Sequence, residues 1–194
     1  EGKLSMIARG ARASRKRFTG ILDRFNHLSA VVTPGRELWT VHEVASVRLR
    51  LNLRRNLDAI NRAHQIIEWC RMLSSEQDAA PNLFRFLNHA LNLLDEGNLA
   101  RAAGVYPRLL SDAGIMPYLG NCVHCRRSQD DGFKGSLVCG KGFVCESCMR
   151  PTRWISPDAI RVLQGERCED TAVADEVETT LSHWLQGELG RPIN

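Results

Sequence analysis

Two Cys-x2-Cys pairs, Cys122-Val-His-Cys125 and Cys145-Glu-Ser-Cys148, are separated by 19 residues. Two residues between cysteines let one tight turn present two sulfurs to the same ion. Two such turns close a tetrahedral shell at about 2.3 Å per Zn–S bond. The spacing lies in the zinc-ribbon range and predicts one Zn2+ per chain, held by Cys122, Cys125, Cys145 and Cys148. Four thiolates leave no open coordination position, so the expected metal is structural rather than catalytic. It would staple a module too small to bury enough apolar surface by itself. Cys139 precedes Cys145 by six residues, but Leu137-Val138-Cys139-Gly140 reads as a strand running into a turn. Its thiol is expected beside the site, with its role open. His124 adjoins Cys125, and neighbouring side chains diverge too far to share one ion. Neither the H-x-E of zinc deaminases nor the C-x-x-C-H of haem attachment occurs.

The second chemistry is cationic. Arg9-Gly-Ala-Arg12-Ala-Ser-Arg15-Lys16-Arg17 carries five basic side chains in nine residues and no acid. A loop with no carboxylate to neutralise it is expected to contact phosphates; plain solvation is the alternative. Arg24 follows, and then Arg48, Arg50, Arg54, Arg55 and Arg62 bridge the β region and the first helix. Pairing with Glu43 or Asp58 competes for these side chains. Arg126 and Arg127 sit beside the first cysteine pair and extend the candidate phosphate contacts to the zinc module.

The whole chain supports that division. Its 194 residues suit one or two domains, and 43% hydrophobic with 25% charged residues describes a globular protein. No apolar run approaches the roughly 20 residues of a membrane span. The basic N-terminal residues have no apolar stretch behind them, so no secretory signal is expected. The net charge of +4 is unevenly spread: residues 1–80 carry 14 Lys/Arg against 8 Asp/Glu, residues 156–194 only 3 against 8. Of the 26 basic residues 22 are Arg, the side chain suited to bidentate phosphate contact, although a GC-rich genome would give the same bias. Five of seven cysteines crowd into residues 122–148 while Cys70 and Cys168 stand alone. Clustered pairs without a signal point to a metal in a reducing cytosol, not to a disulfide scaffold.

Period-two patterning over Lys3–Ala8 and the runs His27–Val32 and Leu38–Val44 around Thr33-Pro34-Gly35-Arg36 predict strands. From Asn56 the period becomes helical, with Leu57, Ile60, Ala63, His64, Ile67 and Met72 on one stripe and Leu83, Phe84, Leu87, Ala90, Leu91 and Leu94 on the next. Leu99–Leu110 reads as a third helix ending near Gly114. Trp69 and the Phe84/Phe86 pair are expected in the core, as are Phe18, Phe25 and Trp39. Ser156-Pro157 starts a further helix, and a last one covers Asp170–Leu189 with Val173, Val177, Leu181, Trp184 and Leu185 on its apolar stripe. The expected fold is α+β, with an OB-like β-barrel portion, a helical bundle and an inserted four-Cys zinc ribbon. The expected domains are 1–50 (OB-like, incomplete), 51–119 (helical), 120–152 (zinc ribbon) and 153–194 (helices packing on the helical domain).

The ordered pieces resemble the bacterial recombination mediator RecO family. Ala8-Arg9-Gly10-Ala11-Arg12 with Arg15-Lys16 is similar to that family's basic hairpin, and Leu83-Phe84 through Leu94 to its central helix. Leu109-Leu110-x3-Gly114-x2-Pro117-x4-Cys122-x2-Cys125 is similar to its approach to the ribbon, and His183-x3-Gly187-x-Leu189-Gly190-Arg191 to its C-terminal helix. The match runs over nearly the whole chain. The family's first strands have no counterpart and residue 1 is Glu, so the sequence reads as N-terminally shortened. The resemblance implies binding of single- and double-stranded DNA, strand annealing in recombinational repair, and partnership with RecR and with the C-terminal tail of single-strand-binding protein. It also implies a cytoplasmic, nucleoid-associated protein. Some members lack the cysteines, so zinc is not the family's shared chemistry.

Three function classes compete. A non-enzymatic mediator that binds DNA through phosphates fits best. A zinc-ribbon adaptor without intrinsic DNA affinity is the alternative. An enzyme fits worst, because no Gly-rich phosphate loop, G-x-S-x-G, H-E-x-x-H or nucleophile–base constellation occurs.

Overall fold

The computed structural model describes residues 2–11, 18, 21–76, 79–128, 134–149 and 153–189. Two compact units divide the chain, Glu1–Gly97 and Asn98–Asn194. The helical segment expected over 51–119 thus contributes to both.

In the first unit, β1 (Met6–Ile7), β2 (His27–Thr33) and β3 (Trp39–Arg48) form one sheet in the order β1-β3-β2. β1 pairs parallel with β3 for two residues, Met6 opposite Trp39 and Ile7 opposite Thr40. β2 and β3 form a long antiparallel hairpin with register shifts at His27/Leu28 and Val31/Val32. Its turn uses Gly35, where any Cβ would meet the Leu38 carbonyl oxygen at 2.3 Å. The expected barrel does not close. Three strands, one only two residues long, cannot wrap round to a common edge. Only Val41 is buried along the three strands.

The helices hold this unit's core. Asn56 caps α1 (Leu57–Leu73), its Oδ1 accepting the Asp58 and Ala59 N–H groups. The buried face is Ala59, Arg62, Ala63, Ile66, Trp69 and Cys70, one residue off the expected stripe. Leu57, on the expected stripe, turns outward and is 70% exposed. Pro81 opens α2 (Pro81–Asp95), whose Ala90, Leu91 and Leu94 are buried. A 3-10 turn, Leu53–Arg55, packs on both helices through the fully buried Leu53. Trp69, Phe18 and Phe25 are buried as expected, but Phe84 is 53% exposed, with His27 edge-on to its ring.

The second unit begins with a helix in two pieces, α3 (Leu99–Ala102) and α4 (Val105–Asp112), where one was expected. Pro107 explains the break. In a continuous helix its ring would strike the carbonyl of Ala103, whereas in the first turn of α4 its missing N–H costs nothing. A short hairpin follows, β4 (Gly135–Val138) and β5 (Gly142–Cys145). Ser156 caps α5 (Pro157–Leu163) by accepting the Ala159 N–H at 3.2 Å. Asp170 accepts the Ala172 N–H at the start of α6 (Thr171–Leu189). α6 packs against α3, α5 and β4, burying Ala174, Val177, Leu181, Trp184 and Leu185.

Candidate metal centre and basic surface

The two Cys pairs meet. The Sγ atoms of Cys122, Cys125, Cys145 and Cys148 lie within 4.8 Å of one another, a set that could hold a metal ion. A tetrahedral ion with bonds of about 2.3 Å needs sulfurs about 3.8 Å apart. The Cys125–Cys145 separation of 3.5 Å is close to that. Cys122 and Cys145 are buried, Cys125 and Cys148 exposed.

Local backbone bonding shapes each turn. In the first, Arg126 N–H donates to the Cys122 carbonyl at 2.9 Å and Cys122 N–H to the Arg127 carbonyl at 3.0 Å. Arg126 takes a left-handed φ of 64° to close it. In the second, Cys148 and Met149 N–H groups both donate to the Cys145 carbonyl. Val123 N–H donates to the Phe143 carbonyl at 3.0 Å, and Cys145 N–H points at Cys122 Sγ at 3.4 Å, so the turns are joined through β5.

These N–H groups also set the charge. Burial pushes the Cys122 thiol up, but backbone N–H groups of Cys125, Cys145 and His124, aided by the Cys145 side chain, outweigh it and draw it down to about 6. Cys148 is pushed up to about 12, chiefly by hydrogen bonding to Cys125 and Cys145. Four sulfurs at this spacing are a donor set that a divalent cation such as Zn2+ would complete. Cys139 lies outside the four. It is exposed and faces Glu188, and its pKa is raised, first by desolvation and then by that carboxylate. Cys70 is buried and pushed up to about 12 by that burial; Cys168 is buried as well.

The basic residues divide into several situations. Arg12, Arg15, Lys16 and Arg17 lie outside the described residues. Arg9 is exposed in the turn closed by Ala11 N–H on the Ala8 carbonyl. Arg24 is exposed, with Nη1 3.4 Å from His64 Nε2. Arg48 pairs with Glu96 at 3.0 Å and Arg54 with Asp23, so Glu43 and Asp58, the expected partners, are not the ones used. Arg55 is exposed. An exposed pair such as Arg48–Glu96 is worth at most about 1 kcal/mol. Arg126 is exposed, and Arg127 is exposed with Nη1 3.5 Å from Ser147 Oγ.

Arg50 departs from the expectation. It is 1% exposed and its guanidinium is spent inside the first unit. Nη1 donates to the Phe25 carbonyl, Nε and Nη2 to Asn92 Oδ1 at 3.1 and 2.8 Å, and Nη2 to Asn88 Oδ1 at 2.8 Å. Desolvation lowers its pKa, with Arg48 adding to the effect and Asp95 opposing it. A group so enclosed does not reach a phosphate, and Arg50 leaves the set of candidate contacts. Arg62 is buried too. Asn88 and Asn92 went unremarked in the sequence. Their signal is two amides four residues apart, on one face of an amphipathic helix.

Residues 1–50 match the family model described as Recombination protein O N terminal, and residues 54–194 that described as Recombination protein O C terminal. A DNA repair protein RecO of Anaeromyxobacter sp. is 31% identical over 212 residues, covering 98% of this chain and 81% of that protein. One from Thermoanaerobacter sp. is 30% identical over 150 residues, 76% of this chain and 60% of that protein. One from Alkaliphilus metalliredigens is 26% identical over 150 residues, 76% of this chain and 61% of that protein. The chain thus spans about 60% of the length of the last two relatives. Matched by both family models from its first residues to its last, the chain belongs to the Recombination protein O family.

Proposed function

We propose that this protein is a non-enzymatic recombination mediator. It binds single- and double-stranded DNA through phosphates, promotes annealing of complementary strands and assists recombinase loading during DNA repair. Membership of the Recombination protein O family carries this reading. The cationic surface supports it chemically: Arg9, Arg24 and Arg55 are exposed, and Arg48 and Arg54 are held only in ion pairs near the surface. The Arg12–Arg17 segment and the zinc-side Arg126 and Arg127 join them. Phosphate contacts carry no base identity, so binding is sequence-independent. The four cysteines hold a structural Zn2+. The β portion over 1–50 is part of an OB-like platform, followed by the helical, zinc-ribbon and C-terminal segments over 51–119, 120–152 and 153–194. RecR and the tail of single-strand-binding protein are its protein partners, and the nucleoid in the cytoplasm its place. No helix among the described residues is long and apolar enough to cross a membrane.

A salt titration of binding to single strands tests this. Each phosphate contact contributes about −0.7 to the log–log slope. Replacing Arg12, Arg15 and Arg17 together by Ala is expected to flatten the slope by about two, equally on unrelated sequences, with annealing falling in parallel and metal content unchanged. A folded triple variant with wild-type salt dependence would reduce that segment to a solvated loop. Tyr118 and Trp154, exposed aromatics flanking the short hairpin in sequence, favour a second reading, a zinc-ribbon adaptor that grips another protein. Salt-insensitive partner binding with no DNA affinity would select it.

A further inference from the structure

Arg50 is enclosed by carbonyl oxygens from two separate segments. Phe25 supplies one from the loop before β2, and Asn88 and Asn92 supply theirs from α2. Its backbone N–H adds a bond to Asn26 Oδ1 at 3.1 Å, and Asn26 Nδ2 donates in turn to the Ile21 carbonyl at 3.0 Å. Just downstream, Asp95 Oδ1 accepts the N–H groups of Asn52 and Leu53, both at 3.0 Å, at the start of the 3-10 turn. One buried residue therefore ties the loop over 21–26 to α2, beside the point where the turn over 53–55 is tied to the same helix. The loop carries Arg24 and Asp23, the turn carries Arg54 and Arg55, and Asp23 pairs with Arg54. Phe25 is held at φ 69°, a left-handed conformation unfavourable for a bulky side chain, where its carbonyl receives the Arg50 fork. Fully buried Leu53 packs the turn on α1 and α2, whereas the long hairpin's strands bury only Val41.

We propose that Arg50 is a positioning residue whose buried fork locks the loop carrying Arg24 onto α2, beside the Asp95-tied turn carrying Arg54 and Arg55, so that three surface guanidiniums meet one strand's phosphates as a fixed set. The proposal rests on the phosphate-binding reading above. It depends on the planar fork and not on charge alone. Lysine offers a single point donor group and cannot span the Phe25 carbonyl and both asparagines.

The test is a salt titration of the full chain on a labelled single strand of mixed sequence, with circular dichroism to verify folding. Arg24→Ala, Arg54→Ala and Arg55→Ala combined are expected to reduce the slope by about two. Arg50→Lys, which keeps the charge, is expected to reproduce most of that loss. Arg50→Met added to the triple variant is expected to change the slope no further. Wild-type binding by folded Arg50→Lys would overturn the proposal, because a point charge would then suffice. A further loss of about 0.7 on adding Arg50→Met to the triple would also overturn it, by making Arg50 a phosphate contact itself. Should Arg50→Lys unfold, Asn92→Ala decides: it removes the oxygen that accepts two of the fork's hydrogen bonds without altering charge. Its slope is expected to fall by about one contact, and an unchanged slope overturns the proposal. Wild-type protein with no salt-dependent binding would instead remove the phosphate reading, leaving the Arg50 enclosure as it stands.

Discussion

Ten residues of β3 bury one side chain, Val41, whereas all four residues of β5 are buried. The longer hairpin relies on its backbone ladder and on polar ties at its end, Arg48 to Glu96 and Arg50 to α2. The shorter one is packed around Phe143 and Val144, and Cys145 and the Cys122 turn bracket it with sulfur. Strand length therefore does not track how much each hairpin buries. If the proposed Zn2+ staples the short hairpin, each kind of tie is expected to answer to a different reagent: a chelator for the short hairpin, salt or a single charge change for the long one.

The largest break in that contrast is expected from the metal. Structural zinc contributes apparent binding energies on the order of 10 kcal/mol in small zinc modules. Cys145→Ser, or chelation, is expected to release the ion and expose the amides of Phe143 and Cys145 to hydrogen exchange, leaving those of β2 and β3 unchanged. Cys70→Ser and Cys168→Ser should retain full metal content. Elemental analysis finding no zinc in protein prepared without chelator would remove the staple from the comparison. Next come two matched truncations. Phe143→Ala in the fully buried position should cost about 3–5 kcal/mol in chemical unfolding. Val31→Ala, at a residue 56% exposed, should stay within about 0.5 kcal/mol. A comparable loss at Val31 would mean that the long hairpin has a cover in the working protein. A smaller effect than that of Phe143 is expected from Arg48→Ala, which removes a half-exposed ion pair. It should cost no more than about 1 kcal/mol, and the difference should shrink in high salt.

Features encoded over a few neighbouring residues were legible in the sequence. The four cysteines converge because each pair needs only its own turn to aim two sulfurs. Asn56 and Ser156-Pro157 mark helix starts because a cap acts on the next three N–H groups. Pro107 was legible in principle, since its clash with the preceding turn is local, and it splits the helix expected over Leu99–Leu110. Features that depend on distant partners were not. Arg50 looks like its neighbours Arg48 and Arg54, and only the arrival of Asn88 and Asn92, 38 and 42 residues later, makes it internal. The outward turn of Leu57 and Phe84 likewise depends on which faces α1 and α2 present to each other. An apolar stripe cannot settle that when two of its edges are nearly equal.

Gly135 lies beneath the ring of Phe143, whose tip occupies the place of a missing side chain: a Cβ there would sit 2.1 Å from it. Gly135 also pairs across the hairpin with Cys145, and its carbonyl receives the Ile155 N–H at 2.8 Å. The ring can settle to this depth only over bare backbone. Phe143 stands two residues before Cys145 and hands its carbonyl to Val123, next to Cys122. A residue from each cysteine pair is thus spaced from the same ring. Position 135 acts as a gauge block for the sulfur cage: its thickness, that of a peptide with no side chain, is carried through one aromatic ring into the separation of the ligands.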